Sequence, residues 1–514
     1  MNELCVPRVV RGQMEQASYQ DPLIPNYRQN PLIEALPKIY SAEEAYQRLA
    51  YYPEYQESQR QLPNEIRLHL IYNANQFFKP NWIHLDLEQR LSRLLRAGYL
   101  ARNPIIYGYW REVDQRVQSI ANLPRVQTIA TGFNLVGISG IGKSTAMEAI
   151  LRMYPQVIIH HRYGERDFSF VQVVWLKLDC PFDGSIKGLC VNFCQELDEI
   201  LGTHYYENYS RYGHASIDEL LGRMKRLTAL HGIGCLVIDE IQHLSVAKSA
   251  GVSRMLNFFV QLVNTMGMPV VLVGTYKALP ILTGEFRQAR RASGQGDFVW
   301  ERMQPDEVWQ MFVETLWRYQ YLRQPTPLTP QLTEALYEVS QGITDFAVKA
   351  YLLAQMRAIA TGIETVTPAI IRSVALDSFR FAREVLEALR TDDWQKLKTV
   401  PDIQLVDLDL YYGSNLDQLN KKASQPEAST EIAPGQALPP VKLPESQVDP
   451  VCRSKVARPT ERPAQASSDV KPPEEDLRHL ATKGSGRKLT TYQVLQQAGW
   501  IKPGMEFFAP RSSS

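Results

Sequence analysis

The chain has 514 residues, of which 44% are hydrophobic and 22% are charged, and its formal net charge is +1. This length exceeds what one hydrophobic core organises, so two or three folded units are expected. The near-neutral balance excludes a global basic field that would hold nucleic acid, so any DNA contact requires a local patch. No run of about 18 apolar residues could span a bilayer, so no membrane contact is predicted.

The six cysteines are scattered along the chain. Cys190 and Cys194 lie one helical turn apart, but they lack the histidines or second cysteine pair of a zinc site. The N-terminus lacks the apolar core of a signal peptide. These features predict reduced, buried thiols in a protein of the cytoplasm.

The first quarter of the chain predicts a small helical module. Residues 1–30 are polar and turn-rich and are expected to be a flexible N-terminus, and the helical module covers residues 31–120. Ser41 and Glu44 form a capping box that begins a helix. Apolar stripes at helical spacing extend the module. The predicted helices cover residues 41–51, 63–76 and 85–100.

A glycine-rich loop directly follows the apolar run 133–136 and is typical of a phosphate-binding loop. Its residues are Gly137, Ile138, Ser139, Gly140, Ile141, Gly142, Lys143, Ser144 and Thr145. The glycines allow backbone N–H groups to surround the phosphates of ATP, Lys143 adds a positive charge, and Ser144 offers a hydroxyl to Mg²⁺. The helix that begins here directs its positive end at the same anion.

Residues 121–304 alternate apolar runs with helical patterns, which predicts an α/β core with a parallel sheet. Each predicted strand is nearly all apolar and therefore buried on both faces. The predicted strands are 133–137, 171–179, 235–239 and 270–274. A helix capped by Ser216 and ended by Gly232 lies between the second and third of these strands.

Polar side chains at the ends of two strands predict the catalytic chemistry. Asp239 ends one strand and is expected in the Mg²⁺ shell, while Glu240 polarises a water for attack on the γ-phosphate. Thr275 ends the next strand and would sense or orient that water. Gln242 and His243 follow the acidic pair and are lesser candidates for the same neighbourhood, with a structural role preferred for each.

Two further basic features bear on the nucleotide. Arg290 and Arg291 are candidates for arginines that one subunit supplies to the phosphates of the next, although an exposed helix end explains them as well. Residues 305–412 are purely helical and predict a lid with further C-terminal helices. Lys349 lies on a lid helix and is a candidate nucleotide ligand.

The composition changes near residue 413. Residues 413–485 are predicted to be a disordered linker, because their central part is rich in Pro, Ser, Ala, Glu and Lys and almost lacks aromatic residues. Residues 486–514 include a short amphipathic segment. A partner-binding peptide on a tether is the preferred interpretation, and packing onto the chain's own core is the alternative.

The acidic pair, the polar residue on the next strand, the arginine cluster and the helical lid together resemble the AAA+ class of P-loop ATPases. Within that class the chain is similar to the TnsC/TniB-type transposition regulators, which are related in role to the phage Mu protein MuB. The similar stretches are residues 30–37, 102–104, 109–110, 137–145, 175–181, 183–189, 236–244 and 286–294.

This resemblance implies an ATPase, slow and regulatory, that forms rings or helical filaments on double-stranded DNA without sequence preference. It implies a target-selection partner of the TniQ/TnsD type, a TnsB-type transposase and a TnsA-type endonuclease. The expected location is the bacterial cytoplasm, in association with the nucleoid when DNA is bound. DNA contacts are assigned to residues after the second strand, namely Lys187, Arg211, Arg223 and Lys225, where basic side chains would contact phosphates.

Two other functions remain open at this point. A helicase loader or replication initiator of the AAA+ class would share the nucleotide chemistry and the DNA. A scaffold in which bound nucleotide only stabilises an oligomer is the second alternative, against which the acid Glu240 argues.

Overall fold

The structure is a computed structural model that describes residues 12–118, 132–210, 217–246, 267–279 and 296–393, with Phe259, Val263 and Leu282. These residues belong to one folding unit, 1–428, and residues 429–514 form a second unit of which nothing is described. Several predictions lie outside the described residues: Arg211, Ser216, Arg290, Arg291, the linker 413–485 and the terminal peptide 486–514.

A five-stranded parallel sheet forms the centre of the first unit. Its strands are β2 (Phe133–Gly137), β5 (Trp175–Asp179), β6 (Cys235–Asp239), β7 (Val270–Gly274) and β8 (Asp297–Trp300). They lie in the order β5-β6-β7-β2-β8. Every residue of β2, β6 and β7 is buried, as their apolar sequences predict. The predicted P-loop α/β fold with a parallel sheet is therefore confirmed.

A second, smaller sheet corrects the prediction of a flexible N-terminus. Its strands are β1 (Met14–Gln16), β3 (Val157–Tyr163) and β4 (Arg166–Val173). β1 pairs in parallel with β3, and β3 pairs with β4 as an antiparallel hairpin. All three side chains of β1 are exposed. No alternation of polar and apolar residues marks this strand, because its side chains are exposed and it is defined by backbone pairing with β3.

The predicted strand 171–179 is wrong as a single element. Residues 171–173 end β4 in the small sheet, and β5 begins at Trp175 in the large one. Between them, the Val174 N–H donates to the carbonyl of Gln156 at 2.8 Å. Both segments are apolar and mostly buried, so the sequence reads as one continuous run although the chain changes sheet at this residue.

The first two predicted N-terminal helices begin within one residue of their predicted starts but end earlier, whereas the third ends at the predicted Leu100 and begins three residues earlier. The N-terminal helices are α1 (Pro31–Glu34), α2 (Ala42–Leu49), α3 (Asn64–Asn73), α4 (Trp82–Leu100) and α5 (Tyr109–Gln118). The predicted capping box of Ser41 and Glu44 is confirmed. The predicted extension of α2 to Tyr51 is wrong, because the backbone of Tyr51 pairs instead with that of Phe78.

The remaining helices flank the sheet and build the lid. Those of the core are α6 (Lys143–Leu151), α7 (Ile186–Leu201), α8 (Tyr205–Ser210) and α9 (Ile217–Leu230). Those of the lid are α10 (Glu307–Leu316), α11 (Pro330–Ser340), α12 (Thr344–Thr361), α13 (Pro368–Ser378) and α14 (Arg383–Arg390). Most of α12 is buried, so it forms the centre of the lid.

Buried arginines fasten the N-terminal helices to the rest of this unit. The Arg67 guanidinium on α3 pairs with Glu364, which follows α12, at 2.5 Å. The Arg102 guanidinium, just after α4, donates to the carbonyls of Ile233 at 2.5 Å and Gly234 at 3.1 Å. The helical module is therefore part of the same packed unit as the core and the lid.

Candidate active site

A cavity of about 260 Å³ lies where the glycine-rich loop, the ends of β6 and β7, the lid and the N-terminal helices meet. The carboxyl ends of parallel strands share one edge of a sheet, which is where ligands bind in open α/β folds. The loop contributes Ser139, Gly140, Ile141, Gly142, Lys143, Ser144 and Thr145. The strand ends contribute Asp239, Glu240, Gln242, Gly274 and Thr275.

The loop has the geometry of a phosphate cradle. Gly140 and Gly142 have φ values of +80° and +103°, which residues other than glycine rarely adopt. α6 begins at Lys143, so its unpaired N–H groups and positive dipole end face the loop. The Lys143 ammonium donates to the carbonyls of Gly137 at 2.9 Å and Ile138 at 2.8 Å. These features suit a polyphosphate.

Asp239 occupies the end of β6 with its carboxylate almost fully buried. One oxygen accepts from the Glu240 N–H at 2.9 Å, and the other lies 3.4 Å from the Lys177 ammonium. Lys177 on β5 also bonds to Glu148 at 2.8 Å. Burial opposes the charge on Lys177, but the bond to Glu148 and the field of Asp239 outweigh it and raise the lysine's pKa. Lys177 and the Glu240 N–H thus hold the Asp239 carboxylate in place where it lines the cavity.

Glu240 and Thr275 have the properties expected of the hydrolytic residues. Burial and the charge of Asp239 raise the pKa of Glu240. Its backbone has a φ of +56°, the left-handed region that costs a side-chain-bearing residue about 1–2 kcal/mol. The Thr275 hydroxyl is buried and has no hydrogen-bond partner among the described residues. An unpartnered buried hydroxyl at the cavity is suited to a bound phosphate or water.

The cavity residues fit ATP with Mg²⁺. Ser144 and Asp239 both line the cavity and offer the hard oxygen ligands that Mg²⁺ prefers. Within the described parts of the chain, no group of three or more His, Cys, Asp or Glu side chains is arranged to hold a metal ion. Ser144 and Asp239 would share such an ion with phosphate oxygens.

The lid meets the phosphate loop at the start of α12. The Thr344 hydroxyl donates to the carbonyl of Ile141 at 2.9 Å, and the Asp345 N–H donates to that of Gly140 at 3.2 Å. Lys349 lies one turn further along, and its buried ammonium bonds to the Asp345 carboxylate at 2.9 Å. Asp345 lines the cavity. A nucleotide contact by Lys349 remains a prediction and would require this pair to open.

Sequence reasoning missed the aromatic wall of the cavity. This wall consists of Phe77, Phe78, His84, Trp300 and Phe312. The His84 ring packs edge-on against Phe78 at 5.0 Å and against Trp300 at 5.1 Å. Burial lowers the pKa of His84 to about 4, so the ring is neutral at pH 7. No spacing pattern links these residues, because they come from the N-terminal helices, the sheet and the lid.

Lys187 is the predicted DNA contact that the fold exposes most clearly. It is the second residue of α7, whose first turn is capped by Ser185. Arg223 and Lys225 on α9 are only partly exposed. Arg223 lies near Cys194, whose pKa burial raises to about 12 although the guanidinium opposes that shift. The structure thus presents Lys187 to solvent and packs Arg223 against α7.

The described cysteines are Cys180, Cys190, Cys194 and Cys235, and all four are buried free thiols, as expected. In the described part of the chain, no helix is both long and apolar enough to cross a membrane.

Part of the chain is similar to a known protein family. Residues 131–282 match the family model of an AAA domain. AAA domains bind and hydrolyse nucleoside triphosphates, and the cavity carries side chains suited to both steps. None of the curated proteins matches the chain.

Similar solved structures include three from other P-loop ATPases. A Walker-type ATPase of Pyrococcus abyssi is 16% identical over 62% of this chain and 91% of its own, with a TM-score of 0.34. Cdc6 from Pyrobaculum aerophilum is 11% identical over 63% and 89%, with a TM-score of 0.33. Drosophila ORC bound to DNA is 12% identical over 64% and 83%, with a TM-score of 0.31. Similarity at this level says nothing about the function of this chain.

Proposed function

We propose that this chain is an ATP-dependent regulator of DNA transposition that oligomerises on double-stranded target DNA and is switched by slow ATP hydrolysis. It links a TniQ/TnsD-type target selector to a TnsB-type transposase and a TnsA-type endonuclease. It acts in the bacterial cytoplasm and associates with the nucleoid when DNA is bound.

The observation that carries the nucleotide part of this proposal is the shared cavity. Lys143, Asp239, Glu240 and Thr275 line one space, although 132 residues separate the first from the last. Bound Mg²⁺ would neutralise charge on the phosphates. Lys143 would bind the β- and γ-phosphates, Glu240 would accept a proton from the attacking water, and Thr275 would orient that water.

The contact between lid and loop supports a switch. The start of α12 bonds directly to the carbonyls of Gly140 and Ile141, so occupancy of the loop and the position of the lid are coupled. Arg290 and Arg291 are proposed to reach the nucleotide of a neighbouring subunit. An arginine supplied in this way makes hydrolysis depend on assembly, since it contributes about 10³–10⁵-fold to rate in related chemistry.

The DNA part of the proposal starts at Lys187, which is exposed at the beginning of α7, with Arg211, Arg223 and Lys225 as further candidates. A lysine that contacts only phosphate contributes affinity without sequence preference. Lys187→Ala should weaken binding to all duplex sequences about equally and reduce the salt dependence by about one counterion. Lys38→Ala removes an exposed lysine from the segment between α1 and α2, where it pairs with Glu44, and serves as the control.

Electron microscopy of the full chain on nonspecific duplex DNA tests the whole proposal. We expect rings or filaments with a nonhydrolysable ATP analogue and their loss with ADP. Hexamers that unwind DNA or load another protein would favour a helicase loader or replication initiator instead. Nucleotide-dependent oligomers without ATP turnover would favour a scaffold.

The C-terminal peptide is proposed to reach the transposase or endonuclease through the linker 413–485. A chain ending at residue 485 should retain ATPase activity and DNA binding but lose transposase recruitment in a pull-down on DNA. Unchanged recruitment would rule out this role for residues 486–514.

A further inference from the structure

Gln242 lies between Glu240 and Thr275 and bonds to both of them. Its side chain is 4% exposed and lines the cavity. The amide nitrogen donates a short hydrogen bond to the Glu240 carboxylate. The amide oxygen accepts from the Thr275 N–H at 3.0 Å. One side chain therefore connects the acid that follows β6 to the threonine that follows β7.

Local geometry restricts where this amide can lie. A Cβ at Gly274 would lie 2.9 Å from the Gln242 amide oxygen and 2.5 Å from the Ile241 side chain. The absence of a side chain at residue 274 thus admits the bridge. On the other side, the left-handed backbone of Glu240 turns the chain into the short 3₁₀ helix Ile241–Val246 that carries Gln242.

We propose that Gln242 is a positioning residue that couples the position of Thr275 to the orientation of the Glu240 carboxylate. This inference rests on the proposed hydrolytic roles of Thr275 and Glu240. A ligand that bonds to the Thr275 hydroxyl shifts the end of β7, and the amide transmits that shift to the carboxylate. The Glu240 carboxylate is then oriented toward an attacking water only when a ligand is bonded to the Thr275 hydroxyl.

The chemistry of the bridge requires an amide. It needs an acceptor toward the Thr275 N–H and a donor toward the Glu240 carboxylate, and a glutamine side chain supplies both. Gln242→Glu keeps the acceptor but replaces the donor by a second carboxylate. Gln242→Leu has similar volume and removes both bonds. A purely structural glutamine would make these changes matter for stability and not for turnover.

Steady-state kinetics with direct binding measurements form the first test. We expect Gln242→Leu and Gln242→Glu to lower kcat about 10- to 100-fold, the range for a lost hydrogen bond to a charged group. The Kd of a fluorescent ATP analogue should stay within about threefold, since neither bond contacts the phosphates. Unchanged kcat, or a fall that only follows the folded fraction, would overturn the proposal.

Gln355 provides the matched control. It is also a buried glutamine between two backbone groups, accepting from the Tyr321 N–H at 2.9 Å and donating to the Tyr319 carbonyl at 3.0 Å. Gln355→Leu should lower the melting temperature about as much as Gln242→Leu does. Its kcat per folded molecule should remain within about twofold of wild type, because its bonds lie in the lid.

Hydrogen–deuterium exchange tests the coupling without turnover. Glu240→Ala should speed exchange of the Thr275 amide at least several-fold, because the amide bridge loses its anchor. Exchange at Thr275 that is unchanged in Glu240→Ala would contradict the coupling. A wild-type chain that binds ATP without hydrolysing it would instead defeat the proposed function, and the exchange result would still decide the role of Gln242.

Discussion

Two buried charge clusters in this protein differ in how completely their polar atoms are used. At the contact between the N-terminal helices and the lid, both terminal nitrogens of Arg67 are bonded to Glu364, and they also bond to Asn64 and to the Tyr321 carbonyl. At the cavity, Lys177 faces Glu148 and Asp239 together. In the first cluster both terminal nitrogens of the arginine are bonded, although its buried Nε has no partner among the described residues, whereas the second sets one lysine against two acids.

This difference separates a cluster that holds the fold together from one whose side chains are suited to bind a ligand. Burial raises the pKa of Glu364, but the bonds from Arg67 outweigh that effect and lower it. The two charges of this pair therefore compensate each other. At the cavity the pKa of Glu240 is raised and the Thr275 hydroxyl has no described partner. Bound cation and phosphate would supply the missing charge and hydrogen bonds.

The largest effect is expected for Lys143→Ala, which changes the cavity and not the Arg67 cluster. Loss of the loop cation should abolish measurable ATP binding while the fold persists, because the Lys143 ammonium bonds to carbonyls of the loop itself. ATP should then no longer raise the melting temperature. A variant that keeps the ATP-induced rise would show that the phosphates bind elsewhere.

Glu240→Gln should lower kcat by about 10²-fold or more while ATP affinity is retained, since a positioned general base contributes about 10²–10⁴-fold. Single-turnover hydrolysis and a separate binding isotherm measure the two effects. Removing the negative charge beside Asp239 should not destabilise the fold. Equal losses in binding and turnover would place Glu240 among the phosphate ligands instead.

At the Arg67 cluster, Arg67→Met should lower the free energy of unfolding by about 3 kcal/mol, because Glu364 loses its buried partner and keeps the more exposed Arg323. Chemical denaturation measures this loss. Arg67→Lys keeps the charge but not the two parallel hydrogen bonds of the guanidinium. Its free energy of unfolding should fall between those of Arg67→Met and the wild type. In both Arg67 variants, ATP should still raise the melting temperature by more than it does in Lys143→Ala.

The smallest effect is expected at the entry of the N-terminal helices. Asn30 caps α1 by accepting from the Leu32 N–H at 3.1 Å and donates to the Tyr99 carbonyl at 2.8 Å. Asn30→Ala should cost about 1–2 kcal/mol of unfolding free energy and leave kcat unchanged. Ser41→Ala removes an exposed cap and should cost about 1 kcal/mol or less. A larger loss at Ser41 would reverse this order.

Much of the site could be predicted because the relevant signals are local. The loop and the acidic pair are contiguous in sequence, and each directly follows an apolar strand that must be buried. Thr275 could be placed beside them, because parallel strands bring their carboxyl ends to one edge. The capping box at Ser41 could be predicted for the same local reason.

Other features depend on partners that are distant in sequence. β1 exists because β3 lies beside it, and the break at Val174 exists because two sheets meet there. The aromatic wall around His84 requires the N-terminal helices to dock against the sheet and lid. No periodicity within one segment could reveal these arrangements.

The sequence by itself determined the nucleotide chemistry, since glycines, a lysine and two acids in contiguous motifs need only their own strands and loops to be placed. Tertiary structure alone decided that the N-terminal helices complete the cavity and that Gln242 bridges Glu240 to Thr275. The physical reason is that these contacts join segments far apart in the chain. Their geometry is set by the packing of the whole unit and not by any local pattern.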